Sequence, residues 1–138
     1  IFEYMFVFSK GKPKCNLLCD KENKWAWHTN WGKNTQYDKA GNLKETSDIK
    51  PVPDFSPRNN IWKYSVWFNE KTGHPAVFPE KLAEDHILSW SNEWDTVLDP
   101  FAGSGTTLKM AKKNNRNYVG IEISEEYCNI INKRLWIN

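Results

Sequence analysis

Phe2, Tyr4, Phe6 and Phe8 alternate with Glu3, Met5, Val7 and Ser9, a period of two that marks a strand, whose successive side chains point to opposite faces. Gly11 and Pro13 end the element. A lone strand leaves its backbone groups without a ladder, so the pattern predicts pairing within the chain or with sequence upstream of Ile1, and we favour the upstream partner. From Lys14 to Asn60 the periodicity dissolves into Asn, Lys, Asp, Gly and Pro, with Trp25, Trp27, Trp31 and Tyr37 interleaved. That stretch predicts irregular, loop-rich structure. Ile61 to Phe68 is apolar and rich in β-formers, which predicts a strand, followed by a turn at Lys71 to His74.

A helical period then takes over. Pro79 stands at a helix start, Glu80 and Glu84 occupy the first turns, and Leu82, Ala83, Ile87 and Trp90 fall on one face. Ser91 to Glu93 break it. Thr96-Val97-Leu98 is short and apolar, as in a parallel strand buried on both faces. Thr106 to Asn115 predicts a helix, Tyr118 to Ile123 a second buried strand, and Glu125 to Trp136 a second helix with Tyr127, Ile130, Ile131 and Leu135 apolar. The order strand, glycine loop, helix, strand, helix is a βαβ unit of the doubly wound α/β class.

Composition narrows the setting. A 138-residue chain with 26% charged and 14% aromatic residues describes one globular domain of modest size. No apolar run reaches the roughly 18 residues of a membrane span, and the opening segment is interrupted by Glu3 and followed by Lys10, Lys12 and Lys14, so it is not a signal peptide either. Three cysteines, Cys15, Cys19 and Cys128, lack metal-ligand spacing, which predicts free thiols in a cytoplasmic protein and no metal. The net charge of +2 divides unevenly: residues 1 to 60 hold ten Lys/Arg against seven Asp/Glu, or +3, and residues 61 to 138 hold nine against ten, or −1. The basic excess is compatible with nucleic acid but equally with an ordinary solvated surface.

The chemistry concentrates where the first predicted parallel strand ends. Asp99-Pro100-Phe101-Ala102 leads into Gly103-Ser104-Gly105 and the helix start Thr106-Thr107. In open α/β sheets ligands sit at this edge, glycines let the backbone turn and approach them, and the N–H groups of the next helix favour an anion. A P-loop would place a Lys after its last glycine, yet here no basic residue precedes Lys109. A dinucleotide fingerprint needs three spaced glycines and no acid that would face a pyrophosphate, whereas Asp99 stands there. S-adenosylmethionine fits better: its ammonium can pair with Asp99, its carboxylate can use helix N–H donors, and its ribose diol can use Glu122, 23 residues after Asp99 at the end of the next strand.

With these residues in view, the chain resembles the N6-adenine and N4-cytosine DNA methyltransferases of permuted motif order, over nearly its whole length. His74-Pro75-Ala76-Val77-Phe78-Pro79-Glu80-Lys81-Leu82 is similar to motif X of that family, Leu98 to Thr107 to motif I, and Gly120-Ile121-Glu122-Ile123 to motif II. The resemblance implies a partial Rossmann-like methyltransferase fold of the α/β class with an irregular target-recognition insertion. It divides the chain into residues 1–14, the last strand of a catalytic half; 15–60, the target-recognition region; and 61–138, the cofactor-binding part. It implies cofactor contacts from His74, Pro75, Phe78, Pro79, Asp99, Pro100, Phe101, Gly103, Ser104, Gly105, Thr106, Thr107, Glu122 and Ile123, the last beside the adenine. For His74, Pro75, Phe78 and Pro79 a rigid turn with Phe78 in the core remains the alternative.

The partner implied is duplex DNA. Within the insertion, Lys24, Trp25, Trp27, Trp31 and Lys33 are candidates to meet it by stacking and phosphate contact, although tryptophans in a loop-rich region also build miniature cores. Methylating a paired base requires flipping it out of the stack and holding its amine beside the methyl donor. The family does this with a motif IV of the type Asp-Pro-Pro-Tyr or Ser-Pro-Pro-Tyr, and no such tetrapeptide occurs in the chain. Asp99-Pro100-Phe101 belongs to motif I instead. No catalytic residue is therefore assigned, an N-terminal catalytic half is expected as a partner, and the chain alone is expected to be inactive. A companion restriction enzyme is compatible with the resemblance. A DNA-binding remnant without catalysis, or a methyltransferase acting on RNA, remains open.

Overall fold

The computed structural model describes residues 3–29, 35–45, 50–65 and 78–136. The chain separates into two compact units, residues 19–60 and residues 1–18 with 61–138.

The 19–60 unit holds two antiparallel strand pairs where the sequence predicts irregular structure. Strand β1 (Cys19–Glu22) pairs with β4 (Phe55–Pro57), and β2 (Thr35–Tyr37) with β3 (Leu43–Glu45). Asp38 makes the second hairpin: its Oδ1 accepts from the N–H groups of Ala40 (2.8 Å) and Asn42 (2.9 Å), while Gly41 takes a left-handed φ of 84°. These bonds hold the Asp38 carboxyl below its usual range, the Asn42 backbone bond contributing most. Arg58 forks onto Asp20 through Nε at 3.1 and 3.0 Å and through Nη2, tying β4 to β1. The strands are only three or four residues long and none of their described residues is fully buried, so apolar periodicity never had to appear. Polar bonds hold these strands, local at the Asp38 turn and long-range between Arg58 and Asp20.

The other unit carries the βαβ order. Helix α1 (Glu80–Trp90) is followed by β5 (Thr96–Asp99), α2 (Thr106–Lys113), β6 (Asn117–Gly120) and α3 (Glu125–Trp136). Strands β5 and β6 are parallel, with Val97 opposite Tyr118 and Asp99 opposite Gly120. Parallel neighbours require a crossover, and α2 supplies it. One core cluster joins Ala83 and Ile87 of α1 to Met110 and Ala111 of α2, with Val97 and Tyr118 against it; a second joins Ala102, Leu108 and Ile131, with Tyr118 and Leu135. The arrangement is a partial Rossmann-like fold, as the sequence predicts.

Four expectations need correction. Glu3 to Ser9 form no strand; the alternating aromatics stay exposed, Phe8 at 90%, because no described strand offers them a ladder. Ile61 to Ser65 are also irregular, and Val66 to Phe68, like the turn expected at Lys71 to His74, lie outside the described residues. Their aromatics dock on α1 instead: the Trp62 ring lies 4.9 Å from that of His86, and Tyr64 donates from its hydroxyl to Asp85 Oδ2 at 2.8 Å. The two parallel strands are only half-buried, on the face of Val97 and Tyr118, while Leu98 (60%) and Val119 (49%) are exposed. On α1, Ala83 and Ile87 are buried as expected, but Trp90 is exposed and Asp85 takes a buried position. Asp85 can do so because Tyr64 and Lys81 (2.9 Å) satisfy it.

The helix ends follow from short-range chemistry. Pro79 precedes α1 with φ −56°, and Ser91 closes it by donating from Oγ to the Ile87 carbonyl at 2.6 Å. Helix α2 stops at Lys113, two residues earlier than expected, because Asn115 turns left-handed (φ 59°) and Arg116 N–H bonds back to the Ala111 carbonyl at 2.9 Å. Buried Arg116 then donates to the Ser91 carbonyl (2.8 Å) and hydroxyl (3.1 Å), tying the end of α1 to the entry of β6. Residues 15–18 belong with this unit: Asn16 N–H bonds to the Ser89 carbonyl at 2.8 Å, and its side chain to those of Leu88 (3.1 Å) and Ser91 (3.0 Å).

Candidate functional site

Parallel pairing sets the site. Because Asp99 lies opposite Gly120, the segments leaving β5 and β6 emerge side by side, and Ile121 N–H bonds to the Asp99 carbonyl at 2.9 Å while Ala102 N–H bonds to that of Ile121 at 2.9 Å. The Asp99 Oδ1 turns back onto Phe101 N–H at 3.0 Å, starting the loop. Glu122 finishes it from the other strand: Oε2 accepts from Gly103 N–H at 2.8 Å and Oε1 from Ser124 N–H at 2.9 Å. Both acids are half-buried.

Two glycines are required by this path. Gly105 takes φ 78° as the N-cap of α2, and a Cβ there would lie 2.9 Å from Ile131 Cγ1. A Cβ at Gly120 would lie 2.4 Å from Leu108 Cδ1 and 3.2 Å from Ala102 Cβ. The loop thus rests directly on the second core cluster. Among the described residues no side chain caps α2, so its first-turn N–H groups, and the positive end of its dipole, face the loop opening. Around this polar centre stand exposed apolar side chains, Phe101 (89%) and Ile123 (102%). Two carboxylates, an uncapped helix start and flat apolar surface suit a ligand that combines a cation, an anion, a diol and an aromatic ring.

Behind the loop sits a charged cluster that sequence spacing did not reveal. Arg134, near the end of α3 and 10% exposed, donates from Nη1 to the Ser104 carbonyl (2.7 Å), the Ser104 hydroxyl (3.0 Å) and the Thr106 hydroxyl (3.1 Å). Its Nη2 reaches Glu80 Oε1 at 2.8 Å, and Lys109 Nζ reaches the same oxygen at 2.7 Å. Partial burial opposes the Glu80 charge, but Lys109 and Arg134 together outweigh it and hold the carboxyl below its usual range.

The family model for N6/N4 methyltransferases, described as DNA methylase, matches residues 1–133. The chain belongs to that family. It is 52% identical over 151 aligned positions to the orphan methyltransferase M.BamHII of Bacillus amyloliquefaciens, an alignment covering 98% of this chain and 54% of that protein. It is 35% identical over 135 positions to the type II methyltransferase M2.DpnII of Streptococcus pneumoniae (94% and 49% covered), and 42% identical over 106 positions to the DNA adenine methyltransferase YhdJ of Escherichia coli strain K12 (70% and 36%). Among solved structures, the M1.HpyAVI–SAM complex aligns with a TM-score of 0.52 and 39% identity, over 59% of this chain and 43% of that one. The chain spans about half the length of the curated relatives it matches.

Within the chain the predicted site residues fall into three groups. Asp99, Pro100, Phe101, Gly103, Gly105, Thr107, Glu122 and Ile123 gather along the β5–α2 loop and the end of β6. Ser104 and Thr106 belong to the same loop, but their side chains are buried against Arg134, leaving only their backbone to meet a ligand. Phe78 and Pro79 lead into α1; Phe78 is 42% exposed rather than a core residue, and Glu80, next to Pro79, is joined to the loop through Arg134. His74 and Pro75 lie outside the described residues, as do Trp31 and Lys33. Lys24, Trp25 and Trp27 are exposed in the 19–60 unit, the tryptophans at 62% and 69%, so neither forms a miniature core. Among the described residues no His, Cys, Asp and Glu group suits a metal, and no helix is long and apolar enough to cross a membrane.

Proposed function

We propose that the chain binds S-adenosylmethionine in the β5–α2 loop and serves the methylation of an exocyclic amine in duplex DNA, adenine N6 in preference to cytosine N4. The observation that carries this reading is the pairing of Asp99 with Gly120, which delivers Asp99 and Glu122 to one opening beside the uncapped start of α2. Asp99 takes the ammonium, Glu122 the ribose diol, and the α2 N–H groups the carboxylate. Phe101 and Ile123 give the adenine ring apolar surface. When bound, the cofactor would supply an electrophilic sulfonium methyl, and the loop would orient it. The identity to an adenine methyltransferase supports adenine as the base. The exposed Trp25, Trp27 and Lys24 give the 19–60 unit stacking and phosphate contacts for DNA.

The chain works in this reading as the cofactor and recognition part of a larger cytoplasmic assembly, residues 61–138 holding the cofactor. The amine-binding tetrapeptide is absent from its sequence, and the bare face of β5 and β6 offers Leu98 and Val119 to further structure. The test is transfer of a tritiated methyl group to duplex DNA. The chain alone gives no turnover, and adding a polypeptide that carries an Asp-Pro-Pro-Tyr half restores it. Turnover by the chain alone contradicts the division of labour, and a gel shift with structured RNA but not duplex DNA contradicts the substrate.

A further inference from the structure

The Arg134 cluster joins three helices at one point, and each bond in it bears on the loop. A peptide unit is planar and trans, so its carbonyl and its N–H point in opposite directions. With the Ser104 carbonyl held by Arg134 at 2.7 Å, the Gly105 N–H of the same peptide is turned the other way, onto the Ala102 carbonyl at 2.7 Å. That peptide plane enters Gly105, the left-handed N-cap, and so sets the direction in which the first N–H groups of α2 point. Through its other nitrogen the same guanidinium holds Glu80, the first residue of α1 and the second after Phe78. Lys109, one turn into α2, closes the triangle on the same Glu80 oxygen.

The loop is the cofactor site proposed above, and the Phe78–Pro79 start of α1 is the separate segment that the resemblance to motif X assigns to the same ligand. We infer that Arg134 and Glu80 are positioning residues that lock the glycine loop and the Phe78–Pro79 entry of α1 into a single preformed cofactor cleft. Arginine is needed because one planar fork serves the loop carbonyl and the Glu80 carboxylate at once; a lysine offers a single point charge and can serve one of them well. The role is distinct from contact: the Arg134 guanidinium lies behind the loop, on buried Ser104 and Thr106.

The test compares the full chain with Arg134→Lys, Arg134→Met and Glu80→Gln by calorimetric titration with S-adenosylmethionine, far below the unfolding temperature, and by hydrogen exchange of the ligand-free chain. We expect wild type to bind saturably, Arg134→Met to bind about tenfold or more weakly, and Arg134→Lys and Glu80→Gln to fall between, since charge-assisted bonds are lost in that order. Exchange should quicken at Gly103 to Thr107 while the amides of α1 around Ile87 keep their protection. A purely structural role would lower the unfolding temperature and loosen the unit evenly, leaving affinity for the cofactor unchanged. If Arg134→Met does not fold, Arg134→Lys and Glu80→Gln decide. Wild-type binding with unchanged affinity and loop protection in those two variants overturns the positioning role and leaves the cofactor reading standing. No binding by wild type overturns the cofactor reading itself.

Discussion

Asp38 and Glu122 both organise backbone through paired N–H bonds in the two units, and they rest on very different foundations. Each carboxylate accepts two backbone N–H groups: Asp38 closes its own turn through Ala40 and Asn42, while Glu122 joins its turn at Ser124 to the β5–α2 loop at Gly103. The Asp38 turn stands in water, with open space around Gly41. The Glu122 turn lies over Ala102, Leu108 and Ile131 and is held from behind by Arg134. A turn backed by a core is preorganised for a small ligand, whereas a turn held by polar bonds alone can adapt to a large partner. The contrast matches the two roles proposed, cofactor binding in one unit and DNA contact in the other.

Glycine substitutions probe that contrast most strongly. Gly105→Ala combines a left-handed φ with a Cβ at 2.9 Å from Ile131, and we expect about 3 kcal/mol of destabilisation by denaturant unfolding, the sum of the two penalties. Next in size, Trp25→Ala should weaken duplex binding in a gel shift by about 1–3 kcal/mol, the worth of one stacked base, with little change in unfolding. Gly41→Ala meets nothing within 4 Å and carries only the cost of φ 84°, which we expect to be about 1 kcal/mol. Equal penalties at Gly105 and Gly41 would break the comparison.

Acid should act by smaller steps, and on the βαβ unit in two windows. His86 has its pKa lowered, burial outweighing the charge of Asp85, so its contribution is present above the ordinary histidine value of about 6.5 and is lost as the pH falls through the lower folded value. Glu80 and Glu84 are also lowered, their cationic partners overcoming partial burial, so their contributions are lost as the pH falls below about 4.3. Unfolding free energy measured between pH 8 and pH 3 should therefore decline in two stages, about these values. A stability that rises on acidification contradicts the pairing.

The βαβ order was legible because its signals are local. Apolar runs at strand length, glycines after an acid and amphipathic spacing in α1 and α3 each follow from neighbours in sequence. The acids Asp99 and Glu122 were legible for the same reason, although only Asp99 ends its strand: β6 stops at Gly120, short of the expected Ile123, and Glu122 follows it by two residues. Most of the differences have another cause, a partner that is absent nearby or distant in sequence. The aromatics of residues 3–8 have strand periodicity but no described ladder, and Trp62 and Tyr64 settle on α1 rather than into a sheet. Arg134 carries no sequence signal because a basic residue in the last turn of a helix is ordinary, and its acceptor Ser104 lies 30 residues earlier. The β2–β3 hairpin was missed although Asp38-Lys39-Ala40-Gly41-Asn42 carries its signal, an Asp-led turn with glycine at the left-handed position.

The central claim is that the β5–α2 loop holds the methyl donor between Asp99 and Glu122. Calorimetric titration of the chain with S-adenosylmethionine tests it directly, alongside Asp99→Ala and Glu122→Ala. The account predicts one saturable site in the wild type, weakened at least tenfold in each variant by loss of a charge-assisted contact. Absence of saturable binding, or variants that bind as tightly as the wild type, would contradict it.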